Sequence, residues 1–262
     1  MKIVRTVADV RSALAPFRSS RIALAPTMGA LHAGHVALFD AARRAADVVV
    51  ASIFINPTQF GDPSDFSSYP RDETRDAEVA AGAGVDLVFA PSVEELYPRG
   101  YATWIDVQGP ALGLEGEFRP GHFRGVATVC AKLFTVVAPD EAFFGQKDAQ
   151  QVAVVKQLVR DLNLPLRISV VPTVRDVDGL ALSSRNARLT AEERTRALAI
   201  PRALEAGLDA HRRGQDAVAA ARGVLNGLEV DYVAVADFDG QPTLAVAARV
   251  GRTRLIDNVL LC

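Results

Sequence analysis

The 262-residue sequence predicts an α/β protein: a doubly wound parallel sheet followed by a smaller C-terminal α+β domain. Two observations predict it. Through the first two-thirds, short apolar runs alternate with stretches of helical period, and the runs are continuous rather than alternating, as in strands buried on both faces. After about Val174 the order changes to helices followed by strands, the signature of a separate α+β unit. The expected domains are residues 1–174 and 175–262.

Each element follows from its local pattern. Ile22–Ala25 reads as a buried strand and His35–Ala46 as a helix. Val48–Ile55 is a β-branched run stopped by Asn56-Pro57, hence a second strand. A helix from about Asp72 to Ala81 leads through Gly82 and Gly84 to the strand Asp86–Ala90. Gly125–Val137 is a long apolar helix, Glu141–Phe144 a short strand, Asp148–Leu162 a helix and Leu166–Val171 the last strand of the series. Beyond the boundary, Thr190–Arg213 and Asp216–Leu228 read as helices. Tyr232–Ala236 and Arg252–Asp257 read as strands, with the Asp239-Gly240 turn between them.

Composition narrows the class of protein. Hydrophobic residues make up 49%, enough for a sizeable core. A net charge of -2 gives no electrostatic reason to expect a nucleic-acid or membrane partner. Cys130 sits in an apolar run and reads as a small core residue, and with Cys262 it forms no metal or redox spacing. The N-terminal ten residues are interrupted by charges and lack a signal-peptide apolar block, so a cytoplasmic protein is expected.

The chemistry concentrates at strand ends. Pro26-Thr27-Met28-Gly29-Ala30-Leu31-His32-Ala33-Gly34-His35 runs from a strand through a glycine-bearing turn into a helix start. A helix N-terminus offers unpaired N–H groups and partial positive charge, which suits a phosphate. Two imidazoles beside it can donate to oxygens whose charge grows during phosphoryl chemistry. A metal role for His32 and His35 needs further ligands, and no acidic residue occurs between Arg21 and Phe39. The plainer reading is two imidazoles at a helix end.

Asn56-Pro57-Thr58-Gln59 and Gly145-Gln146-Lys147-Asp148 leave the same sheet edge, so the three segments are expected to converge on one crevice. Asp148 and Gln151 form a capping-box pattern, whereas Lys147 opposes the helix dipole unless an anion lies beside it. Ser183-Ser184-Arg185-Asn186 supplies hydroxyl and guanidinium donors that suit a polyphosphate, or is a polar linker. Arg119-Pro120-Gly121-His122 is an anion contact or a rigid turn. Asp62, Asp72 and Asp76 are acids near the expected crevice with no assignable role.

Taken together these motifs resemble the pantothenate synthetase family, the ligases that join pantoate to β-alanine. The resemblance rests on the Pro26–His35 segment, Phe54–Gly61, Tyr69–Arg71, Arg119–Val126, Phe144–Gln151 and Gly179–Asn186, in order along the chain. It implies a Rossmann-like sheet of nucleotidylyltransferase type. It also implies a two-step reaction: pantoate carboxylate attacks the α-phosphate of ATP, then the β-alanine amine displaces AMP. By the resemblance His35 is catalytic, with His32, Lys147, Ser183, Ser184, Arg185 and Mg²⁺ as suppliers of positive charge. ATP contacts would be Met28, Gly29, Ala30, Leu31, His32, Ala33, Gly34 and His35, then Gly145, Gln146, Lys147 and Asp148, then Val174, Leu182, Ser183, Ser184 and Arg185. Gln59 and Gln151 would bind pantoate, with Pro26, Met28 and Phe144 as apolar walls, and the metal ligands are unassigned. A cytoplasmic homodimer with pantoate, β-alanine and ATP as its small-molecule substrates is implied. A nucleotidylyltransferase proper, an aminoacyl-tRNA synthetase fragment and an ATP-sensing binding protein are the competing readings.

Overall fold

The computed structural model describes residues 1–261, and Cys262, expected to form no metal or redox spacing, lies outside them. The chain forms two compact units. The first comprises Met1–Gly145 and Gln150–Val171; the second comprises Gln146–Ala149 and the chain from Pro172 onward.

The first unit is built on six strands: β1 (Lys2–Val4), β2 (Ile22–Thr27), β3 (Val48–Ile53), β4 (Leu87–Phe89), β5 (Glu141–Gly145) and β6 (Arg167–Val171). Their order is β1-β4-β3-β2-β5-β6, all parallel, which bears out the expected doubly wound sheet. Strand alternation explains its two-sided burial. Ile22 and Leu24 join a core on one face with Phe134, Val137 and Phe144. Ala23 and Ala25 join a second core on the other face with Phe39, Ala42 and Ala80. The alanines let the Ala33–Ala45 helix pack on β2 from that side. Cys130 is buried in the first core, where desolvation pushes its thiol up to about 12, so it is an unreactive packing residue as expected.

From β2 the chain steps outward to β3 and β4, then crosses back to place β5 on β2's other side. That reversal is the topological switch point where such sheets bind ligands. The strands also separate there. β2 pairs with β5 only through Ala23–Glu141 and Leu24–Ala142, although β2 runs on to Thr27 and β5 to Gly145. Pro26, which has no N–H for a ladder, lies in this part of β2 beyond the pairing with β5.

One stretch left unread gains structure, and two sequence expectations are corrected. The N-terminal residues add a short edge strand, β1, and the helix Val7–Leu14, capped by Thr6; three residues flanked by charges carry too little pattern to read. The single helix expected over Thr190–Arg213 is two helices, Ala191–Ala197 and Ala199–Arg212. Pro201 is the cause, because its ring clashes with the carbonyl four residues back, at Ala197.

The second unit has three antiparallel strands rather than two: β7 (Glu229–Asp237), β8 (Pro242–Val250) and β9 (Thr253–Leu260). Asp239 and Gly240 both have positive φ, 63° and 79°, as a tight hairpin requires, but the turn joins β7 to the unexpected β8. β8 reads Leu-Ala-Val-Ala-Ala, and alanine carries little strand signal. Its core contains Ile200, Leu204, Leu244, Val246 and Leu255. The match is close at Gly207, where an added Cβ would lie 2.3 Å from a Leu244 methyl.

Candidate active site

The turn after β2 is fastened from three directions, all within the first unit. Thr27 Oγ1 donates to the Ser52 carbonyl at 2.7 Å and accepts from Gly29 N–H at 3.2 Å, tying the turn to β3. Gly29 and Ala30 then adopt positive φ, 77° and 52°. For alanine that conformation is unfavourable by about 1 kcal/mol. The buried Asp76 carboxylate compensates, accepting Ala30 N–H at 2.8 Å and Leu31 N–H at 2.7 Å. Gly29 is required here: a Cβ would sit 2.7 Å from Asp76 Oδ2. The glycine of this turn makes room for the protein's own carboxylate.

The two histidines complete the turn. His32 is the N-cap of the Ala33–Ala45 helix: its Nδ1 accepts Gly34 N–H at 3.1 Å, while His35 Nδ1 accepts His32 N–H at 3.2 Å. This is a capping box made of imidazoles instead of hydroxyl and carboxylate. The rings lie 4.1 Å apart, centroid to centroid. An Nδ1 that accepts carries no proton, so each neutral ring holds its proton on Nε2, where it is a donor. The rings cap the helix, and the cap sets a tautomer with its donor on Nε2.

Gln59 joins this turn. It is buried, and its amide is oriented by Asn56, whose Nδ2 donates to Gln59 Oε1 at 3.0 Å and to the Gly125 carbonyl at 3.1 Å. Gln59 Nε2 is left to donate to Met28 Sδ at 3.1 Å. Sulfur is a weak acceptor, so a substrate oxygen is a better partner for that N–H. The Gln59 carbonyl in turn accepts His122 Nδ1–H at 2.9 Å and Arg119 Nη2–H at 3.4 Å. Arg119-Pro120-Gly121-His122 is thus a brace beneath Gln59.

Phe144 is buried in the first core, at the end of β5. Gln151 is half-buried on the Ala149–Asp161 helix. Its neighbour Gln150 is buried and donates to the carbonyls of Pro110, Leu112 and Gly113, fixing the loop that leads to Arg119.

Gly145 ends β5 in the first unit, and the expected residues that follow it, from Gln146 to Asp148 and from Val174 to Arg185, lie in the second. Gln146, Lys147 and Asp148 form a short 3₁₀ turn in which Lys147 Nζ pairs with Asp148 Oδ2 at 3.2 Å. Val174 and Leu182 are joined by a Leu182 N–H to Val174 carbonyl bond of 3.0 Å, beside the bridge between Arg175 and Ala181. Ser183 caps the turn Ser184–Arg188 by accepting Arg185 N–H at 3.3 Å. Asn258 on β9 donates to the carbonyls of Gln146 and Lys147, both at 2.9 Å.

Sequence reasoning missed the supports. Asp76 appeared only as an unassigned acid, together with Asp62 and Asp72. Those two cap helices, accepting Ser64 N–H and Arg75 N–H. Asp76 had a detectable signal, an acid on the helix face shared with Ala80, which is buried. No group of three or more His, Cys, Asp or Glu that could hold a metal occurs among the described residues. Nor is any described helix long and apolar enough to cross a membrane.

A doubly wound parallel sheet whose switch point carries a fastened, histidine-capped turn beside an oriented amide defines a nucleotide-handling α/β enzyme. The model of the pantoate-beta-alanine ligase family matches residues 2–260, and the chain belongs to that family. The pantothenate synthetase of Moorella thermoacetica is 53% identical, covering 100% of this chain and 99% of that protein. That of Rhizorhabdus wittichii is 51% identical over 99% of this chain and 98% of that protein. Among solved structures, pantothenate synthetase from Thermus thermophilus superposes with a TM-score of 0.95 at 46% identity, covering 100% of this chain and 99% of that one. Pantoate-beta-alanine ligase from Francisella tularensis, complexed with beta-gamma ATP and beta-alanine, superposes with a TM-score of 0.87 at 36% identity, covering 100% of this chain and 98% of that one.

Proposed function

We propose that this chain condenses pantoate with β-alanine, with cleavage of ATP, through a pantoyl adenylate. In the first step a pantoate carboxylate oxygen bonds to the α-phosphorus and the bond to pyrophosphate breaks. In the second the β-alanine amine attacks the acyl carbon, AMP leaves and the amine loses a proton. A carboxylate is a poor acyl donor until one oxygen belongs to a good leaving group, so activation comes first. Both reactants of that step are anions, and the chain must supply position and positive charge rather than a strong base.

The observation that carries this reading is the Gln59–Met28 contact beside the histidine capping box. It puts an amide donor suited to a small hydroxy acid on the turn suited to a phosphate. Gln59 and Gln151 bind pantoate, with Pro26, Met28 and Phe144 as apolar walls. Neutral amides hold the acid without a tight ion pair that would blunt it as a nucleophile. His35 and His32 donate from Nε2 to phosphate oxygens, and the Met28–His35 backbone follows the nucleotide. Gly145 through Asp148, Val174 and Leu182 through Arg185 are further ATP contacts, with Lys147, Ser183, Ser184 and Arg185 facing phosphate.

Mg²⁺ fits this reading as an ion carried by ATP. Such an ion keeps several waters and takes substrate phosphates as ligands. The family resemblance also suggests a cytoplasmic homodimer; sedimentation of the purified chain tests the assembly. The reaction is tested by incubation with ATP, pantoate and β-alanine, each omitted in turn, while AMP and pyrophosphate are quantified. Pantoate-dependent pyrophosphate release with free AMP on adding β-alanine is expected. AMP retained in the product identifies a nucleotidylyltransferase instead, and ATP binding without turnover identifies a sensor.

A further inference from the structure

The last strand of the chain carries an interaction that no sequence motif announced. Asn258 is buried on β9 and uses its whole side chain on the turn that bears Lys147. Its Nδ2 donates to two consecutive carbonyls, Gln146 and Lys147, each at 2.9 Å. Its Oδ1 accepts from Gln146 Nε2 at 3.2 Å. Two donors and one acceptor in one planar group match an amide, and neither a hydroxyl nor a carboxylate can replace it.

Asn258 is itself held. Its N–H donates to Asp257 Oδ1 at 2.8 Å. Asp257 is buried and takes both guanidinium nitrogens of Arg175, at 2.6 and 3.2 Å. Arg175 sits next to Val174 and also donates to the Gly179 carbonyl at 3.1 Å. A continuous set of hydrogen bonds therefore runs from the Val174–Leu182 hairpin through Arg175, Asp257 and Asn258 to the backbone of Lys147, all within the second unit.

We infer that Asn258 is a positioning residue for Lys147: by fixing the two carbonyls that flank the Lys147 Cα, it sets the direction in which the ammonium is presented to ATP. This inference rests on the functional reading of Lys147 as a phosphate contact. Within this fixed turn the ammonium pairs with its neighbour Asp148 at 3.2 Å, the partner that phosphate would replace.

A double-mutant cycle on ATP affinity, measured calorimetrically with the full chain, tests it. Asn258→Asp keeps the shape and the acceptor for Gln146 but turns an oxygen toward two carbonyls, and Asn258→Ala removes the side chain. Each is expected to weaken ATP binding by about tenfold or more. Pantoate affinity is expected to stay within about twofold, and far-ultraviolet dichroism at wild-type level. In a Lys147→Ala background the same changes are expected to cost almost nothing further. Unchanged ATP affinity in a folded Asn258→Asp protein overturns the proposal. So does an equal loss in the Lys147→Ala background, which would mean that Asn258 acts elsewhere. The cycle reads binding alone, so it stays decisive in a chain that holds ATP yet fails to release pyrophosphate with pantoate, the result that overturns the ligase reading.

Discussion

Residues at the turn after β2 show how one side chain can meet a structural and a chemical demand together. Asp76 holds the positive-φ Ala30 in place by accepting two N–H groups from inside the protein. Charged hydrogen bonds of this kind contribute on the order of 1.5–3 kcal/mol each. Asp76→Ala is therefore expected to lower stability by about 3 kcal/mol and to abolish pyrophosphate release. Urea unfolding alongside the pyrophosphate assay checks both, and a fully active Asp76→Ala protein would remove the turn from the mechanism. Under the proposed function Gln59 is a binding residue. Asn56, His122 and Arg119 fix its orientation, while among the described residues its Nε2 donates to the Met28 sulfur. Gln59→Ala is expected to raise the KM for pantoate by about tenfold or more with ATP affinity unchanged. Equal losses for both substrates would signal a folding defect.

At the scale of elements, the sheet is pinned at the edge opposite the turn by a buried carboxylate. Glu141, the first residue of β5, accepts from Arg167 of β6 at 2.6 Å, from Arg21 before β2 at 3.2 Å, and from Ser169. Burial pushes its carboxyl up, but the hydrogen bonds from Arg167 and Ser169 and the charges of Arg167 and Arg21 outweigh it, leaving the pKa below the usual carboxylate value. A lowered folded-state pKa stabilises above the unfolded-state value, and that stabilisation is lost as pH falls through the folded one. Glu141→Gln is expected to cost on the order of 1–2 kcal/mol at pH 7, modest because the guanidiniums are 58% and 66% exposed and screened. The difference from wild type should shrink as pH falls through the folded-state pKa. A gap constant down to pH about 2 would show that packing, not charge, accounts for it. Element boundaries were legible where one residue decides them. Pro57 stops a strand, and Asp239-Gly240 makes a hairpin. They were lost where the deciding effect is a clash four residues away, as at Pro201, or where an alanine-rich strand carries no pattern.

The whole molecule distributes the expected ATP contacts over two units with separate cores. The turn from Met28 to His35 belongs to the first; Lys147, Val174 and Leu182–Arg185 belong to the second. Lys147 sits beside a helix start, where its charge opposes the dipole, and pairs there with Asp148. Under the proposed function its further partner is phosphate. Lys147→Ala is expected to slow pantoate-dependent ATP–pyrophosphate exchange by about a hundredfold or more, which is about 2.7 kcal/mol of barrier, with the fold intact. Unchanged exchange would show that Lys147 does not contact phosphate.

Hydrophobic period, glycines and strand ends act over a few residues, and they were enough to read the doubly wound sheet, the α+β tail, the strand–turn–helix after β2 and the order of the motifs. The supports of the site came only with the folded chain. Asp76 reaches Ala30 across 46 positions, Arg119 and His122 reach Gln59 across 60 and 63, and Asn258 reaches Gln146 across 112. Such pairings have no local signature, because a buried donor and acceptor find each other through the fold that encloses them.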